Sequence, residues 1–341
     1  MRHRTGQERG VLFCGLLGAV MLATLPIARV SADDRSDGLP LWTFAWITDI
    51  HLDATRLNYT AKAFRYVDEV LKPHLVLITG DNNAQPEPPS NPQKPEPLGL
   101  RRQRFLKAFL QKNLKTPYAV IPGDDWPQDF DQMFGPKQYS FDCGGLHFVM
   151  LAPDRYFHGK RYEGLSVFEP STLEWLAKDL ERHADQPTLV AIHEPICPPT
   201  FLDAPKLRTM LDQRPNVFLV LQGHMHVDME QRRHGTEYLV GPSLGKPPTL
   251  AMKWVNVYSD HLVVRTIAYQ KKDDQFHMLS QRQKIDVPLS LRSRLVAPKP
   301  GRFTMDHYDA VPAHPLVEDP TLANRAGELM KNAAGFLFFS K

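Results

Sequence analysis

Cysteine is scarce in this chain, with three in 341 residues. Cys14 falls in an N-terminal apolar run, which leaves Cys143 and Cys197 as the one pair for a bridge in the folded part. The order of the elements argues against that bridge. Cys143 precedes a strand-like run at 146–151, and Cys197 follows another that ends at Ile192. If those strands run parallel, the two cysteines stand at opposite ends of a sheet. A basic excess is lacking too. Residues 1–32 hold four of the 41 basic residues and one of the 38 acidic ones, so the remainder carries 37 of each and is formally neutral. No global field is left to recruit nucleic acid, and none is expected as a partner. Arg101-Arg102-Gln103-Arg104 reads as the exposed start of a helix. A membrane-spanning run is missing as well: Val11–Ile27 is about 17 residues long and broken by Pro26, short of a span. Arg2, Arg4 and Arg9 before it, and small residues at Val30-Ser31-Ala32 after it, predict a signal peptide over 1–32, cleaved before Asp33. The expected product is exported, periplasmic or secreted, with no stable membrane span. No internal repeat is visible.

What is present is an alternation of strand and helix signals. Five apolar runs read as buried strands: Phe44–Thr48, Leu75–Thr79, Tyr118–Ile121, Thr188–Ile192 and Val217–Gln222. Helical spacing recurs between them at Ala61–Leu71, Phe105–Leu114 and Leu173–Leu180, the last entered through Ser171-Thr172 as an N-cap signal. Short helices between apolar strands predict βαβ units and largely parallel pairing. After Gly223 the runs Glu237–Val240, Trp254–Tyr258 and Leu262–Ala268 have almost no helix between them, which predicts an antiparallel meander completing a second sheet. We expect one large domain over 33–286 and an extension over 287–341. Gln85–Leu98 holds six prolines and can be neither helix nor central strand, so it is read as an insertion, a surface loop at about 85–98. The extension offers a helix at Leu322–Ala333 and an apolar end, Phe336–Phe339, suited to docking on the domain or on a partner.

Chemistry concentrates just past the five apolar runs. Asp49-Ile50-His51, Gly80-Asp81-Asn82, Gly123-Asp124-Asp125, His193 and Gly223-His224-Met225-His226 each supply Asp or His, the ligand types that Mn, Fe and Zn accept. Open α/β sheets build sites beyond the carboxyl ends of their strands, so one place would collect all five clusters. Strand alternation would aim Asp49 and His51 to one side. Asp53 reads as solvating its loop, and His147, inside a strand pattern, as structural.

The ordered set resembles the calcineurin-like metallophosphoesterases, whose pattern is D-x-H, G-D, G-N-H-D/E, a lone H and G-H-x-H. Four of the five blocks match, over about residues 44–270. Tyr139–Asp142 followed by Gly144–Phe148 also looks like that family's central strand entry. The resemblance implies an α/β fold, a two-sheet β-sandwich flanked by helices. It implies two divalent metal ions, Mn, Fe or Zn. Asp49, His51 and His226 would bind the first, His193, His224 and Asp124 the second, and Asp81 would bridge them. Gly80, Gly123 and Gly223 would let the chain turn sharply around the ions. The implied activity is hydrolysis of a small phosphomonoester or phosphodiester by a metal-bound hydroxide. The third block departs from the pattern: Gly123-Asp124-Asp125-Trp126 stands there. Without a gap, Asp125 replaces the histidine; with a one-residue deletion, one of the two carboxylates matches the final acid. Both alignments keep Asp124 as an oxygen ligand, and neither keeps the histidine that would assist the leaving oxygen. Asp125 is the catalytic candidate in its place, provided its pKa is raised. The alternative reading is a catalytically weakened protein of this fold acting as a scaffold. No tyrosine follows Gly80-Asp81, unlike in purple acid phosphatases, and the outline is closest to cyclic-nucleotide phosphodiesterase-like members.

Overall fold

The computed structural model describes residues 38–298, apart from 158–164 and 249. The proposed signal peptide and the C-terminal helix and Phe336–Phe339 lie outside the described residues.

In chain order the elements are β1 (Trp42–Ile47), α1 (Leu57–Tyr66), β2 (Leu75–Thr79), α2 (Leu98–Asn113), β3 (Tyr118–Ile121), α3 (Phe130–Phe134), β4 (Tyr139–Cys143) and β5 (Leu146–Leu151). A short pair, β6 (Arg155–Phe157) and β7 (Leu165–Val167), precedes α4 (Pro170–Arg182), β8 (Thr188–Ile192), α5 (Ala204–Asp212) and β9 (Val217–Gln222). The remainder is strand: β10 (Met229–Arg233), β11 (Thr236–Val240), β12 (Ala251–Val257), β13 (His261–Gln270) and β14 (Gln275–Asp286). Two six-stranded sheets result, in the orders β14-β13-β12-β1-β2-β3 and β10-β11-β9-β8-β5-β4. This is the α/β two-sheet architecture expected from the sequence.

The period-2 rule decides which sheet face goes where. Along β1, Trp42, Phe44 and Trp46 point between the sheets, where they meet Phe141, Phe148, Leu219 and Val255. Ala45 and Ile47 point outward, under α1 and α2, with Phe64, Leu106 and Leu110. Along β8, Leu189 and Ala191 face inward, while Val190 and Ile192 pack under α4 and α5. The central strands of both sheets are therefore covered on both faces, which is why they read as continuous apolar runs.

The segment after Gly223 is split between the sheets rather than completing one. β11 lies parallel to β9, with β10 outside it. β12 instead pairs antiparallel with β1, and β13 and β14 follow outward from it. Ala251, Met252, Trp254 and Val255 are all buried, so β12 is a two-faced central strand. β14 escaped the sequence reading because it is an edge strand: of its twelve residues only Phe276 and Ile285 are buried. The Ser171-Thr172 signal also resolves differently. Pro170 opens α4, and Thr172 Oγ1 donates to Asp154 Oδ1 (2.9 Å) instead of capping the helix.

Residues 85–97 form no helix or sheet strand, as their prolines predict, and are tied to their surroundings through Gln85 N–H to Leu52 C=O and Glu87 N–H to Arg101 C=O. Cys143 and Cys197 are free and buried, and β5 runs parallel to β8 as the argument against a bridge required. No helix among the described residues is long and apolar enough to cross a membrane. The parallel pairings β1–β2–β3 and β8–β9 bring five strand ends to one edge of the sandwich.

Candidate metal centre

All eight sequence-predicted site residues leave from those five strand ends. Asp49 and His51 both lie past the end of β1, so strand alternation does not aim them, contrary to expectation. They are turned inward by left-handed backbone, with φ of 54° and 43°. Asp81 (49°), His224 (68°) and His226 (57°) share this conformation. Asp and His are among the non-glycine residues that tolerate it best, and such outliers persist only where neighbours over-determine them. Here the parallel ladder continues past the strands: Asp49 N–H donates to Gly80 C=O (3.1 Å), His51 N–H to Asp81 C=O (2.8 Å) and Leu52 N–H to Asn82 C=O (3.0 Å). The glycines serve two different purposes. Gly80 has φ of +95° and turns the chain, and a Cβ on it would also meet His193 Nδ1 at 2.4 Å. Gly123 and Gly223 are needed for close approach: an added Cβ would meet Asp81 Oδ1 at 2.2 Å or Thr48 Oγ1 at 2.1 Å.

Two groups of ligand-type side chains converge, and Asp81 belongs to both. In the first, His226 Nε2 lies 3.1 Å from Asp49 Oδ1 and 3.1 Å from His51 Nε2, and His51 Nε2 lies 3.6 Å from Asp81 Oδ2. In the second, His193 Nε2 lies 3.2 Å from Asp81 Oδ1 and 3.1 Å from Asp124 Oδ1, and His224 Nδ1 lies 2.9 Å from the same Asp124 oxygen. The two oxygens of Asp81 thus face different groups. Asp49 is held from below, accepting from Thr48 Oγ1 (2.7 Å) and from His224 N–H (3.0 Å).

The donor set fits divalent cations. His193 Nδ1 lies 2.8 Å from Thr79 C=O, so that nitrogen carries the proton and Nε2 presents its lone pair. That Nε2 is fully buried and has no hydrogen-bond partner among the described residues. A lone pair aimed into a cluster of carboxylates is what a cation would satisfy. The electrostatics agree. Burial pushes Asp49 up, but His193, His226 and His51 outweigh it and hold the carboxyl well below the usual range. Asp124 is likewise raised by burial and drawn well below by His193 and His224. Burial lowers His193, but Asp81 and Asp49 carry it well above its ordinary value. The carboxylates, in other words, demand positive charge.

Asp125 sits at the mouth of this cluster. Its N–H donates to Asp81 Oδ1 (2.8 Å), and its Oδ2 lies 3.6 Å from His51 Nδ1 and 3.7 Å from Lys246 Nζ. Burial, then the charges of Asp81 and Asp124, push its carboxyl above the usual range, against His51 and Lys246. Trp126 follows in a left-handed conformation (φ 62°), its ring beneath the Arg102 guanidinium at 3.7 Å. Asp53 turns its own loop, accepting from Thr55 N–H (2.9 Å) and pairing with Arg56. His147 stands apart: Asp142 Oδ1 lies 2.7 Å from Nδ1 and Asp179 Oδ2 2.9 Å from Nε2, and with Asp142 and His183 it forms a third ligand-type group, away from the five strand ends. Sequence reasoning missed Lys246 and Glu194. Glu194 is buried next to His193, and burial and Asp124 push it up to about 8. Its adjacency to the lone histidine was the available signal. Lys246 had none, because it reaches the site from beyond the last block.

The sequence profile described as calcineurin-like phosphoesterase matches residues 43–228. A 3′,5′-cyclic-nucleotide phosphodiesterase of Nostoc sp. is 29% identical over 231 residues, covering 61% of this chain and 80% of that protein. A 3′,5′-cyclic adenosine monophosphate phosphodiesterase of Escherichia coli is 27% identical over 226 residues, covering 58% and 74%. Among solved structures, a dimetal phosphatase from Danio rerio aligns with a TM-score of 0.52 at 13% identity, over 73% of this chain and 100% of that one. GAP50, the anchor in the inner membrane complex of Plasmodium, also gives 0.52 at 13% identity, over 74% and 91%. The two structures support the fold; the match over more than half of the chain establishes the family. This chain belongs to the calcineurin-like phosphoesterases, and is by that membership a phosphoric ester hydrolase with a candidate metal site at its strand ends.

Proposed function

We propose that the chain hydrolyses a small phosphate ester at a pair of divalent cations. The observation that carries this reading is the position of Asp81. Its Oδ2 faces His51 and its Oδ1 faces His193, so a single carboxylate belongs to both ligand groups. Asp49, His51 and His226 would hold one cation, and Asp124, His193 and His224 the other. When bound, such ions polarise phosphoryl oxygens and lower the pKa of water, the chemistry in-line hydrolysis needs. The protein's own contribution is placement. Thr48 and the His224 N–H orient Asp49, Thr79 fixes the His193 tautomer, and the Asp125 N–H orients Asp81. The names of the relatives support a phosphodiester, with cyclic nucleotides the first class to test. Mn, Fe and Zn all suit this mixed imidazole and carboxylate set.

The third block sets the expected selectivity. Asp124 and Asp125 bring carboxylates to the mouth of the site, and the third block supplies no imidazole to assist a departing oxygen. General acid assistance is worth about 10²–10⁴-fold. Aryl esters, which leave as stabilised phenolates, should therefore be turned over far faster than alkyl esters, and Asp125→His should narrow the gap mainly by raising the alkyl rate. Equal rates on aryl and alkyl esters would show that another group donates the proton. No turnover of either with two metals bound would favour the scaffold reading instead.

A further inference from the structure

The loop after β11 is fastened to the first ligand loop. Leu244 N–H donates to Thr48 C=O (3.1 Å), and Gly245 N–H to Asp49 C=O (2.9 Å). Ser243 Oγ donates to that same Asp49 carbonyl (2.8 Å), and accepts from Lys246 N–H (2.7 Å). The approach is close enough to require glycine: a Cβ on Gly245 would lie 1.8 Å from the Ile50 carbonyl oxygen. Backbone contacts of this kind hold the Lys246 backbone in place relative to Asp49. Its ammonium then lies 3.7 Å from Asp125 Oδ2 on the rim of the site. The pair is loose and half exposed, and Lys246 Nζ makes no hydrogen bond among the described residues. Such a pair costs little to open.

Other cations near the rim are committed elsewhere. Arg56 pairs with Asp53 and donates to His51 C=O, and Arg102 covers Trp126 and donates to Ala84 C=O. The need for a free positive charge follows from the ligand set. Asp49, Asp81, Asp124 and Asp125 are four carboxylates, enough to cancel two divalent cations in full. A phosphate ester is itself anionic, so beyond direct coordination by the ions the filled site would offer it no excess positive charge.

We propose that Lys246 is the anion clasp of this site. Its ammonium turns from Asp125 to the non-bridging oxygens of the bound phosphate ester, which provide a charge-assisted contact that the exposed Asp125 pair does not match. The residue lies outside 43–228, the span that the family profile matches. The inference rests on the metal-site reading above, and the experiment separates the two. The full-length protein, reconstituted with Mn, is titrated with inorganic phosphate by calorimetry, alongside Lys246→Met and Lys246→Arg. Lys246→Met should weaken phosphate at least tenfold, about 1.4 kcal/mol, with metal content and melting temperature unchanged. Its KM for an aryl phosphodiester should rise more than its kcat falls, and Lys246→Arg should recover most of the phosphate affinity. Phosphate affinity within twofold of wild type in Lys246→Met would overturn the clasp and leave the metal-site reading intact. So would a parallel loss of metal, which would make Lys246 a support for the ligand loop. A wild-type protein that takes up no metal would overturn both.

Discussion

Gly223→Ala adds one methyl group at the most crowded point of the site. Gly223 does not have positive φ, so alanine can adopt its backbone; the obstacle is space. The new Cβ would lie 2.1 Å from Thr48 Oγ1, 2.8 Å from Asp49 Oδ2 and 3.0 Å from His193 Nδ1. Thr48 would have to give up its hydrogen bonding to make room, since it is buried with Oγ1 2.7 Å from Asp49 Oδ2 and 3.0 Å from Thr79 C=O. Overpacking costs about 1–3 kcal/mol and the displaced hydrogen bond about 1 kcal/mol more. A loss of about 2–4 kcal/mol follows, or a melting temperature lower by roughly 10 °C. His224 and Asp49 must shift with it, so metal uptake should fall in the same protein. Gly235→Ala is the comparison. Gly235 has φ of +91° but nothing within 4 Å of an added Cβ, so only the left-handed penalty of about 1–2 kcal/mol applies, and metal uptake should be unchanged. Thermal unfolding and elemental analysis of the two variants decide the matter. If Gly223→Ala keeps full metal content and melts no lower than Gly235→Ala, the crowding argument is wrong.

Two further expectations concern regions away from the strand ends. His147 is sandwiched between Asp142 and Asp179 and stacks on His183 at 3.7 Å. Burial lowers its pKa, but the two carboxylates raise it above the ordinary value, and His147 in turn holds both carboxyls below theirs despite burial. The histidine contribution is complete below about pH 6.5 and is lost as pH rises through the raised folded value; the carboxylate contributions are complete above about pH 3.9 and lost as pH falls through the lowered ones. His147→Gln should therefore cost about 3 kcal/mol in the window between those limits and less at alkaline pH, as denaturant melts across pH would record. A cost that does not vary with pH would remove the charge from the explanation. At the N-terminus, sequencing of the mature product should read from Asp33; an intact Met1 in membranes would point to an anchor.

Much of the site was legible because it is written locally. Five apolar strands each end in a turn bearing Asp or His, and the parallel order of a βαβ chain puts such turns on one edge. What was not legible is what depends on tertiary placement. The left-handed turns at Asp49, His51 and Asp81 have no period to read, and they replace the strand alternation that seemed to aim the first two. The division of the last strands between two sheets depends on which edge stays open: β1 offers one to β12, and β9 offers one to β11. β14 is long but two-thirds polar, and its four apolar residues do not alternate, so neither composition nor alternation betrays it. That Gly80, Gly123 and Gly223 are all needed for close approach, and only Gly80 for its positive φ, shows only when the contacts are seen. Lys246, twenty residues past the last histidine block, comes to the rim through hydrogen bonds from Leu244 and Gly245 to the Asp49 loop, a contact between segments that no motif connects.

The central claim is that Asp81 joins two ligand groups into one dinuclear site. Metal content per chain, measured by elemental analysis after reconstitution with Mn, Fe or Zn, tests it in wild type and in Asp81→Ala side by side. Wild type should hold close to two ions per chain, and Asp81→Ala should lose both. Wild-type content near zero, or full occupancy in Asp81→Ala, would contradict it.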